Sequence, residues 1–238
     1  MILTIDIGNS YKKYCLFNDR KIIKSEKYNS HKKLEMLFKD KVKSIIISSV
    51  RREPSTQDSP WWQSSLRIKD LVKEGMLLSM PIDYDKGLGD DRAASAFYIF
   101  KKFKGRSLCL DTGTFTTADM ISNKGFQGGY ILPGLNLLAQ SYTKGDLLNV
   151  EKISSKNSHF NPLPKDTRKA ITEGLKYSYF APLLLLIENT KPDQIIITGG
   201  NANLLKEFLT SHLDSVNLQS IDHLVHRGLH LIAEEIKK

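Results

Sequence analysis

Residues 6–10 read DIGNS and residues 111–115 read DTGTF. Each is an Asp-x-Gly turn behind an apolar run, MILTI in the first case and SLCL in the second. Glycine at such a turn lets backbone N–H groups approach an anion with no side chain in the way. The amide and hydroxyl residues beside it, Asn9 and Ser10 in one copy and Thr112 and Thr114 in the other, can donate to phosphate oxygens. The aspartate would repel a bare phosphate, so it makes sense only with a cation between them, as in water-mediated contacts to Mg²⁺. Asp-x-Gly is also an ordinary turn with no chemistry attached. Its recurrence at matched positions, each time with Ser or Thr beside it, favours two halves of one metal–nucleotide site. A third stretch, GLGDDR at 87–92, puts Asp91 and Arg92 at the start of a helix, where the dipole favours an anion. As a plain structural feature Asp91 would be only a helix-start charge. The helix end and the adjacent guanidinium predict a depressed carboxyl pKa. The Arg92 fork suits a carboxylate or a phosphate.

The elements that must hold these residues follow from the pattern. MILTIDIG reads as a buried strand and YCLFN as its return, so 2–18 is a hairpin. Residues 32–41 are helical, and SIIISSV at 44–50 is a strand buried on both faces. The polar, proline-bearing 51–64 is a loop, in which Trp61-Trp62 forms a surface patch or dimer contact. DRAASAFYIFKKF from Asp91 is a helix. SLCLDTGTFTTADMIS then repeats the opening hairpin. FQGGYILPG is a Gly-Gly turn, a short strand and a Pro-Gly turn leading into a helix. Residues 151–165 are loop-rich. Residues 167–189 form a long helix, kinked or broken at Pro182. QIIITGG is a last buried strand, with helices at 203–212 and 227–237. The two halves match as one duplicated α/β unit with a boundary near Gly105.

Bulk properties narrow the class. The chain has 238 residues, with 40% hydrophobic and 26% charged, ordinary values for a globular protein. The formal charge of +9 points to an anionic partner, but the basic residues come in scattered pairs rather than a run. They read as solvated surface rather than a nucleic-acid face. Cys15 and Cys109 have no metal-ligand spacing and read as buried free thiols of a reducing cytoplasm. MILTIDIGNS lacks the features of a signal peptide, and the longest apolar run is too short to span a bilayer. There is neither a P-loop nor a Gly-x-Gly-x-x-Gly fingerprint.

Two Asp-x-Gly phosphate hairpins in a duplicated frame resemble the actin and sugar-kinase superfamily. Within it, DIGNSYKK is similar to the DIGNT-x-x-K signature of type III pantothenate kinases. SIIISSV, GLGDDR, DTGTFTTAD, GGYILPG, the DT of LPKDTRKAI and TGG at 198–200 resemble further motifs of that family, in its order. The resemblance implies an α/β, actin-like (ribonuclease H-like) two-domain kinase fold with mixed sheets flanked by helices. Residues 1–105 would form the N-terminal domain and 106–238 the C-terminal domain with the dimerisation helix. It further implies a cytoplasmic homodimer that moves the γ-phosphate of ATP to pantothenate, the first step of coenzyme A synthesis. Mg²⁺ and a monovalent cation, K⁺ or NH₄⁺, would be needed, and neither nucleic acid nor membrane is a partner.

Carried over by position, the ATP-binding stretch is Asp6, Ile7, Gly8, Asn9, Ser10, Tyr11, Lys12 and Lys13, joined by Thr114. Asp6 would act through hydrated Mg²⁺, and Asp111 would ligate the monovalent cation. Asp91 would be the general base and Arg92 would meet substrate or transition-state charge. Tyr84, Gly89, Asp90, Asp91, Arg92 and Thr167 would contact pantothenate, Thr167 from the other subunit, with Asp90 facing solvent. The chain departs from the pattern at Ser10, which stands for threonine, and at Phe115, which replaces a small residue. It departs also in a shortened loop, where Tyr84 stands five residues before Gly89. Two other readings remain at this point. One is a same-fold accessory or regulatory protein, and the other a kinase for a different small hydroxylated metabolite. A basic nucleic-acid binder would instead show a contiguous basic face and stacking platforms.

Overall fold

The computed structural model describes residues 1–51, 59–85, 87–145, 153, 160, 163–213 and 216–237. It divides into two compact units.

The first unit comprises Met1–Phe103, Ser122–Gln127 and His223–Lys238. Its sheet takes β1 (Ile2–Ile7), β2 (Lys12–Asn18), β3 (Lys21–Lys27), β4 (Ser44–Ser49) and β5 (Leu66–Arg67), in the order β3-β2-β1-β4-β5. β1 runs antiparallel to β2 and parallel to β4. Alternation sorts the side chains of these strands. Leu3, Ile5, Ile7, Tyr14, Leu16, Ile45 and Ile47 form one core with Leu34 and Phe38 of helix α1 (His31–Phe38). The helix α2 (Pro60–Gln63) brings Trp62 into that core with Trp61 packed against it, so the tryptophan pair is not a surface patch. The alternate face carries Thr4, Asp6, Cys15, Phe17 and Ser48. The short α3 (Ile68–Leu71) and the small sheet β6 (Val72–Lys73), β7 (Met76–Leu77) and β8 (Met80–Pro81) lead to helix α4 (Asp90–Lys102).

The second unit comprises Lys104–Ile121 and Gly128–Asp222. Its strands are β9 (Ser107–Thr112), β10 (Phe115–Ser122), β11 (Gly125–Pro133), β12 (Gln194–Gly199) and β13 (Asn217–Ser220), in the order β11-β10-β9-β12-β13. β9 is antiparallel to β10 and parallel to β12, so each unit repeats the plan of the other. Helices α5 (Leu135–Ser141), α6 (Thr167–Thr190) and α7 (Ala202–His212) belong here. Leu175, Tyr179, Phe180 and Leu183 of α6 and Leu205, Phe208 and Leu209 of α7 pack on Leu108, Leu110, Ile195 and Ile197.

Helix α8 (Leu224–Glu235) returns to the first unit. Gly228 lies there against the backbone of Ala94, too close for any Cβ, so α4 and α8 cross in contact. Two segments of the expected 106–238 half, the β10–β11 tip and α8, therefore fall in the first unit.

Two local expectations change, and one strand was not foreseen. Gly128 and Gly129 lie within a single nine-residue β11 rather than a turn, and a Cβ at Gly129 would collide with Asp119 and Ala118 of its neighbour strand. α6 runs without a break through Pro182 for 24 residues. β3 (KIIKSEK) is almost wholly exposed; ladder bonds to β2, not burial, hold it, so it left no apolar signal. Cys15 and Cys109 are buried and free. Most of 151–165 lies outside the described residues. Among the described residues no helix is long and apolar enough to cross a membrane.

Candidate active site

In the first unit, chemistry gathers where the parallel strands β1 and β4 end. Asp6 pairs in register with Ser48 on one side and Lys13 on the other, which puts all three side chains on one face. Ser48 donates its hydroxyl to Asp6 Oδ1 at 3.3 Å. The next residue, Ser49, donates its N–H to Asp90 Oδ2 at 3.1 Å, which ties the start of α4 to the same strand end. Gly8 closes its turn by donating its N–H to the Tyr11 carbonyl at 3.1 Å. A Cβ at Gly8 would meet that carbonyl only at ordinary contact distance, 3.5 Å. Space alone therefore does not require glycine there, whereas close backbone approach of a ligand would. Asn9, Ser10, Tyr11 and Lys13 are exposed around it and Lys12 is half-buried, while Ile7 is buried in the core. Lys27 of β3 lies over the Tyr11 ring, with Nζ 3.5 Å from the centroid.

The residues that the resemblance assigns to the substrate loop meet at the head of α4. Asp91 Oδ1 accepts the Arg92 N–H at 2.8 Å. A Cβ at Gly89 would sit 2.7 Å from that oxygen, so glycine makes room for the folded-back carboxylate. Burial pushes the Asp91 carboxyl above the ordinary range, and the Arg92 N–H and guanidinium only partly oppose it. This reverses the depressed value expected from the helix end and the arginine. Desolvation outweighs both although the residue is only half-buried. Asp90 is likewise corrected: it is buried, not solvent-facing, because it serves as the anchor for Ser49. Burial raises its carboxyl too. Arg92 is buried, donates Nη1–H to the Tyr84 hydroxyl at 3.3 Å, and has the Tyr84 and Phe126 rings 5.1 and 5.5 Å from its guanidinium carbon. The shortened loop thus still brings Tyr84 to Arg92.

In the second unit the matching strand ends are built differently. Asp111 pairs in register with Thr198 and with Thr117, so a hydroxyl stands where the first unit has Lys13. Gly199, at φ +94°, lets Asp111 Oδ1 lie within 2.5 Å of where a Cβ would project. Thr112 donates its hydroxyl to the Thr198 carbonyl at 2.8 Å and accepts the Asn201 N–H at 3.1 Å. The Thr114 carbonyl accepts the Gly134 N–H at 3.1 Å, and Phe115 is partly exposed beside it. Thr167 is exposed at the first turn of α6, which Asp166 caps by accepting the Lys169 N–H at 2.9 Å.

The donor set can be matched to ions. Among the described residues no three His, Cys, Asp or Glu side chains form a metal cluster. Mg²⁺ does not need one, because it is held by one or two carboxylates plus water and phosphates. Asp6 fits that role. The threonine and carbonyl oxygens about Asp111 are hard donors that fit a weakly hydrated monovalent cation.

Four residues at these sites were not singled out from sequence. Ser48 and Ser49 were visible as the polar end of SIIISSV. Lys27 left no signal, since β3 itself left none. Phe126 is brought to Arg92 from 34 positions away by the β10–β11 tip, and nothing local marks it.

The family model described as type III pantothenate kinase matches residues 2–188. A type III pantothenate kinase of Syntrophus aciditrophicus is 27% identical over 98% of both chains. Among solved structures, a Campylobacter jejuni protein assigned to the Baf family of transcriptional activators aligns with a TM-score of 0.65 at 22% identity, over 99% of this chain and 98% of its own. The ROK hexokinase of Thermus thermophilus aligns at 0.54 and 12% identity, over 100% and 99%. At these identities the two structures speak for the fold, a two-domain actin-like kinase fold.

Proposed function

Because the chain belongs to the type III pantothenate kinase family, we infer that it phosphorylates pantothenate with ATP, the first step of coenzyme A synthesis. The observation that supports the residue roles is the tie between β4 and α4, with Ser48 on Asp6 and Ser49 on Asp90. It ties the strand end that carries Asp6 to the helix that carries Asp91 and Arg92.

Asp91 accepts the proton of the pantothenate primary hydroxyl as the oxygen attacks the γ-phosphorus and the bond to the ADP oxygen breaks. Its raised affinity for a proton makes it a better base than an exposed aspartate. Phosphoryl transfer has a loose transition state, so alignment of hydroxyl and phosphate counts for more than early proton removal. Arg92 faces substrate or transition-state charge, and Tyr84, Gly89 and Asp90 shape its loop. Asp6, Gly8, Asn9, Ser10 and Lys13 hold the phosphates, and Thr114 contributes from the second hairpin. Mg²⁺ at Asp6 would screen phosphate charge, and K⁺ or NH₄⁺ at Asp111 would supply a fixed positive charge. A homodimer lets Thr167 serve the partner's site.

The test is ADP release with pantothenate, with sugars, and with buffer alone, across Na⁺, K⁺ and NH₄⁺. Pantothenate-dependent ADP, stimulated by K⁺ or NH₄⁺, is expected. Asp91→Asn should lose about 100-fold or more in kcat, the scale of a lost general base. No pantothenate-dependent ADP under any cation overturns the reading.

A further inference from the structure

Phe126 is fully buried, and its ring packs against residues assigned above to substrate binding. Its ring meets Tyr84 edge to face, centroids 5.6 Å apart and planes at 80°. The same ring lies 5.5 Å from the Arg92 guanidinium carbon, within cation–π range. Tyr84 contacts Arg92 through both its ring and its hydroxyl. The three side chains therefore form a closed triangle. Phe126 is the member with no polar atom and no exposure.

The backbone holds Phe126 as firmly as its side chain does. Its carbonyl accepts the Asp83 N–H at 2.9 Å, and Phe126 makes a parallel bridge with Ile82. Gly125, at φ +95°, lies so close to the Pro81 carbonyl that no Cβ fits. The β10–β11 tip is thus locked to 81–83, immediately before Tyr84.

We propose that Phe126 is a positioning residue that sets the orientation of Arg92 and Tyr84 toward pantothenate. The inference rests on the pantothenate kinase reading. A buried guanidinium is weakly hydrated and takes its direction from the faces it lies on. The Phe126 face and the Tyr84 face and hydroxyl restrict the rotamers open to Arg92. Without the Phe126 ring, both Arg92 and Tyr84 gain rotamers, and the loss falls on the substrate they contact rather than on ATP.

The test compares Phe126→Leu, Phe126→Tyr and Tyr84→Phe with the parent enzyme, with circular dichroism and Tm reported for each. In Phe126→Leu the pantothenate KM should rise about tenfold, the scale of one desolvated cation–π contact, with the ATP KM within about twofold of the parent. Phe126→Tyr, which keeps the ring, should restore the pantothenate KM. Combined with Tyr84→Phe, the Phe126→Leu effect should be less than additive, because the two residues share Arg92. A purely structural Phe126 predicts a lower Tm with both KM values unchanged. A folded Phe126→Leu enzyme with parental KM and kcat for pantothenate overturns the proposal and leaves the kinase reading intact. A parent enzyme that neither binds nor phosphorylates pantothenate overturns both.

Discussion

As the proposed general base, Asp91 would have two roles that oppose each other. Its carboxyl is raised by burial, so the folded protein binds its proton more tightly than the unfolded chain does. In the window between the ordinary carboxylate value of about 3.9 and the raised folded value, stability falls as pH rises. Above that window the ionised, partly desolvated carboxylate is a net cost to folding. Asp91→Asn keeps an oxygen to accept the Arg92 N–H and removes the charge. At neutral pH it should therefore raise Tm by a few degrees while abolishing turnover, a trade between stability and activity. Thermal unfolding followed alongside the ADP assay checks both. The acid limb of kcat/KM should lie above that of an exposed aspartate, and a lower or unchanged Tm in Asp91→Asn would contradict the account. Asp90 carries a similar raised carboxyl, but its oxygen is committed to the Ser49 N–H, so its loss would loosen α4.

At the scale of the element, α8 is the part of the fold most exposed to acid. His226 is buried, bonded through Nδ1 to the Thr4 hydroxyl at 2.8 Å, and its Nε2 has no hydrogen-bond partner. Burial first, then the charges of His223 and Lys13, push its pKa down to about 3. His230, stacked on Phe17 at 4.3 Å, is lowered by burial as well. A depressed histidine contributes its full stability above the unfolded value of about 6.5 and loses it as pH falls toward about 3. Urea midpoints between pH 7 and pH 4 should show the parent losing up to about 1.4 kcal/mol per pH unit more than His226→Leu, the linkage slope of one proton. Parallel curves for the two proteins would remove His226 as the cause. The same element packs on the alternate face of the first sheet, so acid opening of α8 would uncover β1, the strand that carries Asp6.

At the scale of the whole molecule, a basic protein of 27.0 kDa must keep its chemistry dry and its surface soluble. The second unit leaves Tyr130 and Ile131 of β11 and Tyr177 and Leu185 of α6 half or more exposed. In the proposed homodimer these side chains would be covered, and that is open to test. Light scattering should return twice the chain mass, and Ile131→Lys with Leu185→Lys should shift it toward the single chain. A parent protein at 27.0 kDa over the micromolar range would exclude the dimer and the role of Thr167 in the partner's site.

Much of this was written in one dimension. Contiguous apolar runs ending in Asp-x-Gly set β1 and β9, because strand burial and glycine turns depend on neighbours in the chain. The repeated plan of the two sheets follows from them. Local pattern also singled out Asp6, Asp91 and Asp111, since each sits near an element end. It could not find β3, whose residues are exposed and depend on a partner strand. It misread Asp90 and the direction of the Asp91 shift, because helix-end charge is local while desolvation comes from everything packed around the carboxylate. It could not see Phe126, or the two segments that return to the first unit. Those were decided by tertiary structure alone, because close packing joins residues by volume and not by separation along the chain.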